Sequence, residues 1–269
     1  MTSPIKAVIF DWAGTMIDFG CMAPVAALIE AFASEGVTIT AAEARADMGR
    51  AKRDHVAALM AMPRIAGAWT SARGATPSVA DGDRLFAALE PLMRAAAARR
   101  SELIPGAAAL VAGLRSQGVK LGSCTGYTRE MMAPILPLAA AQGYAPDAVI
   151  CAGETPSGRP SPLMAWAALI QLDAWPASAC VKVDDAEVGM VEGREAGCWT
   201  IGVAASGNGV GLDLPDYLAL SQPERHARVV DAAARLSAAG AHATVYTVAN
   251  LQPALADIAA RIAAGERPS

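Results

Sequence analysis

The sequence predicts an α/β protein: a Rossmann-like parallel-sheet core with helices on both faces, interrupted by an inserted all-helical cap. Two patterns predict it. Short apolar runs ending in Gly, Asp, Ser or Thr, at 5–10, 119–123, 147–151, 179–183 and 198–203, alternate with helical periodicities at about 107–117, 128–142, 161–172 and 187–196. Such alternation builds parallel strands joined by helical crossovers. The stretch 21–100 instead reads as helices alone, over 23–35, 41–61 with an interruption near Gly49, and 82–100. The expected domains are therefore 1–20 with 101–269 as the core and 21–100 as the cap, Pro105-Gly106 marking the return of the chain.

Local chemistry refines the elements. Pro134 and Pro137 should break or bend the 128–142 helix, because each removes a backbone donor and crowds the preceding turn. The tail over 222–264 carries a helix, a candidate short strand at 243–246 and a final helix. Gly207-Asn208-Gly209-Val210-Gly211 has the wrong spacing for a dinucleotide-binding fingerprint and reads as a flexible loop.

Composition excludes several classes. The 269 residues are 54% hydrophobic and 18% charged, with net charge −4 and no long basic run, which argues against a nucleic-acid partner. No uninterrupted run of about 18 apolar residues is present, so no membrane span is expected. Five cysteines without a CxxC pair read as reduced thiols of a cytoplasmic enzyme, and the N-terminus has no signal-peptide pattern.

In an open parallel sheet, ligands bind beyond the carboxyl ends of the strands. Asp11 ends the first apolar run, Ser123-Cys124-Thr125-Gly126 the second and Asp184-Asp185 the fourth, while Gly158-Arg159-Pro160 precedes the 161–172 helix. Singly, each is an ordinary cap, turn or solvated loop. Together they supply a carboxylate nucleophile, a hydroxyl-and-amide cradle, a cation and metal-binding carboxylates, the parts that phosphoryl transfer needs. Position 13, where an acid would protonate an oxygen leaving group, is Ala13.

The segment Met48-Gly49-Arg50-Ala51-Lys52-Arg53-Asp54-His55 forms a second constellation. On a helix, Lys52 and His55 are three apart and share a face. Positive neighbours and burial lower a lysine pKa, and the neutral amine condenses with carbonyl substrates.

With these residues in place, the chain resembles the haloacid dehalogenase superfamily, with Asp11, Thr125, Arg159 and Asp184-Asp185 on its four motifs. Within it, the chain is similar to the phosphonatase branch, which cleaves the carbon–phosphorus bond of phosphonoacetaldehyde. The matching strings include Phe10-Asp11-Trp12-Ala13-Gly14-Thr15, Asp18-Phe19-Gly20-Cys21, Met62-Pro63-Arg64-Ile65 and Gly126-Tyr127-Thr128-Arg129-Glu130-Met131-Met132. The resemblance implies Asp11 as nucleophile, Lys52 as Schiff-base residue, and His55, Met48 and Tyr127 beside it. It implies Thr125, Gly126, Arg159 and Cys21 around the phosphonate. It further implies Mg²⁺ on Asp11, the Ala13 carbonyl and Asp185, a small-molecule phosphonate substrate and a homodimer. The superfamily's last motif often carries a second acid four or five residues after the first; here Gly189 stands there, leaving Asp184 and Glu187 as alternatives. Other readings of the same residues are a phosphate-ester phosphatase or phosphomutase, a non-catalytic binding protein on this fold, and a class I aldolase using Lys52.

Overall fold

The computed structural model describes residues 3–269. Its sheet comprises β1 (Ala7–Phe10), β2 (Lys120–Thr125), β3 (Ala148–Cys151), β4 (Cys180–Asp184), β5 (Trp199–Val203) and β6 (Ala243–Val245), in the order β3-β2-β1-β4-β5-β6. Every pairing is parallel. The candidate strand of the tail is β6, which completes the edge beside β5. Phe10 pairs in register with both Ser123 and Val183, so Asp11, Thr125 and Asp184 emerge at the same end of adjacent strands.

The period-two alternation of β1 divides the core. Val8 and Phe10 join the large cluster on one face, and Ala7 and Ile9 join the cluster on the other. On the first face lie α6 (Ala107–Ser116) and α13 (Leu251–Ala263), which contributes Leu251, Leu255 and Ile258. On the second, α9 (Leu163–Gln171) packs Met164, Ala165 and Ala168 against Ile9 and Ile150. α10 (Glu187–Glu195) and α12 (Gln222–Ala238) close the β5 side around Met190, Val229, Ala232 and Leu236.

Between β1 and α6 lie only helices: α1 (Met22–Ser34), α2 (Ala41–Arg45), α3 (Lys52–Ala61), α4 (Pro63–Arg73) and α5 (Val79–Arg99). Their apolar residues Leu28, Leu59, Trp69, Leu85 and Leu89 are buried and continuous with the core cluster of the sheet. α5 runs through Pro91, its buried face of Leu85, Leu89 and Met93 outweighing one lost backbone bond.

The interruptions expected near Gly49 and at the prolines are present, while two further helices depart from the expectation. The 41–61 helix is two, because Thr40 and Glu43 form a capping box for α2 while Asp47 and Gly49 take positive φ and turn the chain. The 128–142 helix divides into α7 (Arg129–Met132) and α8 (Ile135–Ala141) at Pro134; Pro137 falls in the first turn of α8, where a missing N–H has no cost. α4 was not foreseen: its N-cap is Met62, which makes no side-chain cap, and Pro63 at the first position is its one start signal. α11 (Leu214–Ala219) also escapes the periodicity because it is short; Asp213 caps it through the Asp216 N–H at 3.1 Å.

Candidate functional site

Asp11 is placed by the sheet. Its N–H donates to the Val183 carbonyl at 2.9 Å, extending the β1–β4 ladder by one bond before the chain turns away. The turn needs Gly14 at φ 85°, and a Cβ there would lie 2.4 Å from Asp185 Oδ2. Asp185 is held by the Asn208 N–H at 2.6 Å and the Thr15 hydroxyl at 3.2 Å.

Arg159 joins these strand ends. It is 3% exposed, with Nη1 on Asp11 at 2.8 Å, Nε on Glu192 at 2.9 Å and Nη2 on the Cys124 carbonyl at 2.6 Å. Nη2 also lies 3.3 Å from Asp184 Oδ2. Lys182, projecting from β4, donates to Asp184 at 2.6 Å and lies 3.3 Å from Glu192. The sequence reading missed Lys182 and Glu192. The available signal was Lys182 itself, a charge between Val181 and Val183 in the apolar run that Asp184 ends, which needs a buried partner.

The carboxylates respond differently to this setting. Burial and the negative charge of Asp184 push Asp11 up to about 6, against the pull of Arg159 and Lys182. Burial, Asp11 and Asp184 push Asp185 well above the ordinary range. Burial would raise Asp184 too, but Arg159 and Lys182 overcome it and hold it low. The four buried carboxylates Asp11, Asp184, Asp185 and Glu192 face two permanent cations, Arg159 and Lys182, an excess of two negative charges. Asp11, Asp184 and Asp185 offer oxygens within 4.8 Å of one another. Hard oxygen donors carrying an excess of two charges fit a divalent cation.

Of the two alternatives left open for the missing acid, Asp184 belongs to this cluster. Glu187 is half exposed and lies 3.6 Å from Arg235. Gly189 has a steric reason: a Cβ there would fall 2.1 Å from Asp184 Cγ. The carboxylate that would reach this point from position 189 of α10 reaches it from the end of β4 instead.

A small pocket opens above the carboxylates. The sheet side contributes Asp11, Ala13, Thr125, Gly126, Tyr127, Arg159 and Asp185; the helical segment contributes Cys21, Met48 and Lys52. Gly126 is required where the two meet, since a Cβ would lie 2.4 Å from the Arg50 carbonyl. Lys52 begins α3 and is 2% exposed, with Nζ 3.7 Å from Met48 Sδ and 5.5 Å from the centre of the Tyr127 ring. Burial lowers its pKa; Asp11 opposes this, and Arg159 reinforces it. The Cys21 thiol is pushed well up by burial and then by Asp185, so it is a neutral wall. The Tyr127 hydroxyl is buried without a hydrogen-bond partner among the described residues.

His55 is the one predicted site residue outside the pocket lining. It is fully buried one turn beyond Lys52, and neither ring nitrogen has a hydrogen-bond partner among the described residues. The 207–211 loop departs from its expectation in the other direction. It packs against the site: Gly207 lies against Asp185, Asn208 binds that carboxylate, and the neighbouring Ser206 hydroxyl donates to the Gly14 carbonyl at 2.8 Å.

Residues 5–197 match the model of the haloacid dehalogenase-like hydrolases. The phosphonoacetaldehyde hydrolase of Paraburkholderia phytofirmans is 50% identical over 264 residues, covering 98% of this chain and 99% of the relative. The chain belongs to the phosphonoacetaldehyde hydrolase family of haloacid dehalogenase-like hydrolases. The family's phosphonoacetaldehyde hydrolase from Aeromonas hydrophila is 43% identical, over 99% of this chain and 96% of its own. A crystal structure of a phosphonoacetaldehyde hydrolase-like protein from Oleispira antarctica superposes with a TM-score of 0.97 at 42% identity, covering 100% of this chain and 98% of that one.

Two predictions follow from the geometry. Burial, then the charge of Lys52, depresses His55 from 6.5 to about 3. Below pH 6.5 the unfolded chain gains a proton at His55 that the folded chain does not. Stability should therefore fall on acidification, by about 2 kcal/mol between pH 6.5 and 5. Urea titrations should show that part of the slope absent in His55→Gln; equal slopes would refute the assignment. At position 189, introducing the acid should harm: Gly189→Asp should lose about 1–3 kcal/mol through overpacking against Asp184. Pairing it with Asp184→Gly should restore most of the loss in thermal unfolding, whereas an unchanged single variant would contradict the exchange.

Proposed function

We propose that this protein hydrolyses the carbon–phosphorus bond of phosphonoacetaldehyde to acetaldehyde and phosphate. The observation that carries this reading is a buried lysine of lowered pKa, Lys52, lining the same pocket as Asp11, with Ala13 where an oxygen leaving group would need an acid. The family membership and the names of its 42–50% identical relatives support the same substrate.

Cleaving a P–C bond directly would expel a carbanion, and no residue near Asp11 remedies that. Lys52 does. Its neutral amine adds to the aldehyde carbon; the adduct takes up one proton from solvent and loses water, giving an iminium. An Asp11 oxygen then attacks phosphorus. The P–C bond breaks, its electron pair forms the C=C bond of an enamine, and the iminium nitrogen becomes neutral. The enamine takes a proton at carbon, and water releases acetaldehyde and restores Lys52. A second water cleaves the aspartyl-phosphate and releases phosphate. No leaving oxygen needs a proton, which accounts for Ala13.

Arg159 and the Thr125 and Gly126 segment face the phosphonate oxygens. Met48 and Tyr127 confine the Lys52 amine. His55 acts behind Lys52, its buried neutral ring favouring the uncharged amine by adding no positive charge. A Mg²⁺ ion on Asp11, Asp185 and the Ala13 carbonyl, with Asp184 adjacent, would neutralise charge on the phosphonate oxygens. Residues 21–100 act in this reading as the cap that carries Lys52 to the core of 1–20 and 101–269. No helix among the described residues is long and apolar enough to cross a membrane. The five unpaired, buried cysteines suit a reducing cytoplasm.

The test is acetaldehyde and phosphate release from phosphonoacetaldehyde, expected with Mg²⁺ and abolished by EDTA. Borohydride added with substrate should inactivate the protein and label Lys52, and Lys52→Arg should lose at least about a thousandfold in rate, since the covalent route is gone. Rapid sugar-phosphate hydrolysis that survives Lys52→Arg would favour the phosphatase reading. The family resemblance also proposes a homodimer, so sedimentation should give twice the 27.5 kDa chain mass; a species at the single-chain mass would exclude it.

A further inference from the structure

Arg45, the last residue of α2, belongs to the helical segment but spends its hydrogen bonds on the sheet side. Nη1 donates to the Gly20 carbonyl at 2.9 Å and to Asn208 Oδ1 at 3.1 Å. Nη2 donates to the Gly211 carbonyl at 2.9 Å and meets Met22 Sδ at 3.1 Å. Asn208 returns a bond from Nδ2 to the Arg45 carbonyl at 3.2 Å. Among the described residues no carboxylate pairs with this guanidinium, although it is partly buried. Arginine held wholly by neutral acceptors is costly as a mere surface contact, because its charge is desolvated without a counter-ion.

The fit is two-sided. Gly211 has φ +67°, and a Cβ there would lie 2.7 Å from Arg45 Nε. Gly20 has φ +86°, donates its N–H to the Ser206 carbonyl at 2.7 Å, and has no room for a Cβ against Leu212. The 206–212 loop is thus shaped around Arg45 on one side. On its other side the Asn208 N–H holds Asp185 Oδ2 at 2.6 Å, and Gly207 packs against the Asp185 side chain.

We propose that Arg45 is a positioning residue that couples the seating of the helical segment to the aim of Asp185, through Asn208. When α2 is seated, Arg45 fixes the Asn208 side chain and the loop carbonyls, and the Asn208 N–H holds Asp185 Oδ2 while the Thr15 hydroxyl holds Oδ1. When α2 lifts, the loop loses those bonds and Asp185 keeps only the longer of its two holding bonds, that from Thr15. Cation binding and seating of Lys52 over Asp11 thereby favour each other. This rests on the proposed divalent-cation site, but the Arg45–Asn208 linkage does not.

Two measurements separate those levels. In metal-free protein, amide hydrogen exchange over 204–212 should be slow in the wild type and faster in Arg45→Ala, with Arg45→Lys intermediate. With Mg²⁺ alone as titrant, calorimetry should show a Kd raised about tenfold in Arg45→Ala and partly rescued in Arg45→Lys, as expected when a partner that orients a metal ligand is removed. Asn208→Ala keeps the N–H and loses the Arg45 contact, so it should shift both readouts the same way; it serves if Arg45→Ala does not fold by circular dichroism. Unchanged exchange over 204–212 would overturn the linkage whatever the metal does. Wild-type binding of Mg²⁺ with an unchanged Kd in the variants would overturn the coupling. Failure of the wild type to bind Mg²⁺ would strike the proposed cation site, and with it the coupling, while the exchange data still decide the linkage.

Discussion

The buried guanidinium of Arg159 is the interaction on which the rest of the site depends. It draws together β1 through Asp11, β2 through the Cys124 carbonyl, β4 through Asp184 and α10 through Glu192. Each of those carboxylates would be strongly destabilising if buried alone, and each depends on a cation contributed by a different element. Lys182 is the second cation, binding Asp184 and Glu192 from within the sheet. Removing either cation leaves carboxylates stranded in the core, so the network ties the strand ends into one arrangement.

That arrangement is electrostatically incomplete in a useful way. Arg159 and Lys182 together suffice for Asp184 and Glu192, and the shortage falls on Asp11 and Asp185, whose pKa values are both raised. Across the pocket the same burial acts on Lys52 in the opposite sense and lowers it. A low-dielectric pocket therefore favours the neutral form of the amine while leaving the carboxylates short of positive charge. Opposed shifts of this kind on groups lining one pocket are how acid, base and nucleophile roles are divided. A divalent cation held by Asp11, Asp184 and Asp185 would remove the shortage and favour the anionic form of Asp11.

How much was legible in the sequence follows from how local each signal is. Five strands and the placement of Asp11, Thr125 and Asp184-Asp185 at their ends could be read, because an apolar run ending in a polar residue is complete within a few positions. Lys52 could be read from the charged string around it, whereas Met48 entered only through the family resemblance, since the positive-φ turn at Asp47 and Gly49 separates it from α3. Helix α4 could not, since Met62 gives no capping signal and Pro63 alone is ambiguous. Glu192 could not, because its partners come from β4 and from the loop before α9, far off in the chain. Gly207–Gly211 was read for its glycine spacing, whereas the glycines there leave room for Asp185 on one side and Arg45 on the other. His55 was placed correctly beside Lys52 by helical spacing, yet spacing does not say which of two buried residues reaches the cavity.

Ala13 takes its meaning from the division of labour between sheet and helices. The strand ends alone hold everything a phosphoryl transfer to a carboxylate requires except help for the leaving group. On the proposed chemistry that help comes from the helical segment, as an amine on the first residue of α3 that lines the opposite wall of the same pocket. An acid at position 13 would add a further carboxylate beside Asp11 and Asp185, where negative charge is already in excess, raising both pKa values again. On the proposed chemistry its proton would have no oxygen to go to. The small side chain at 13 is thus favoured twice, by the electrostatics of the carboxylate cluster and by a leaving group whose electrons depart through the nitrogen of Lys52.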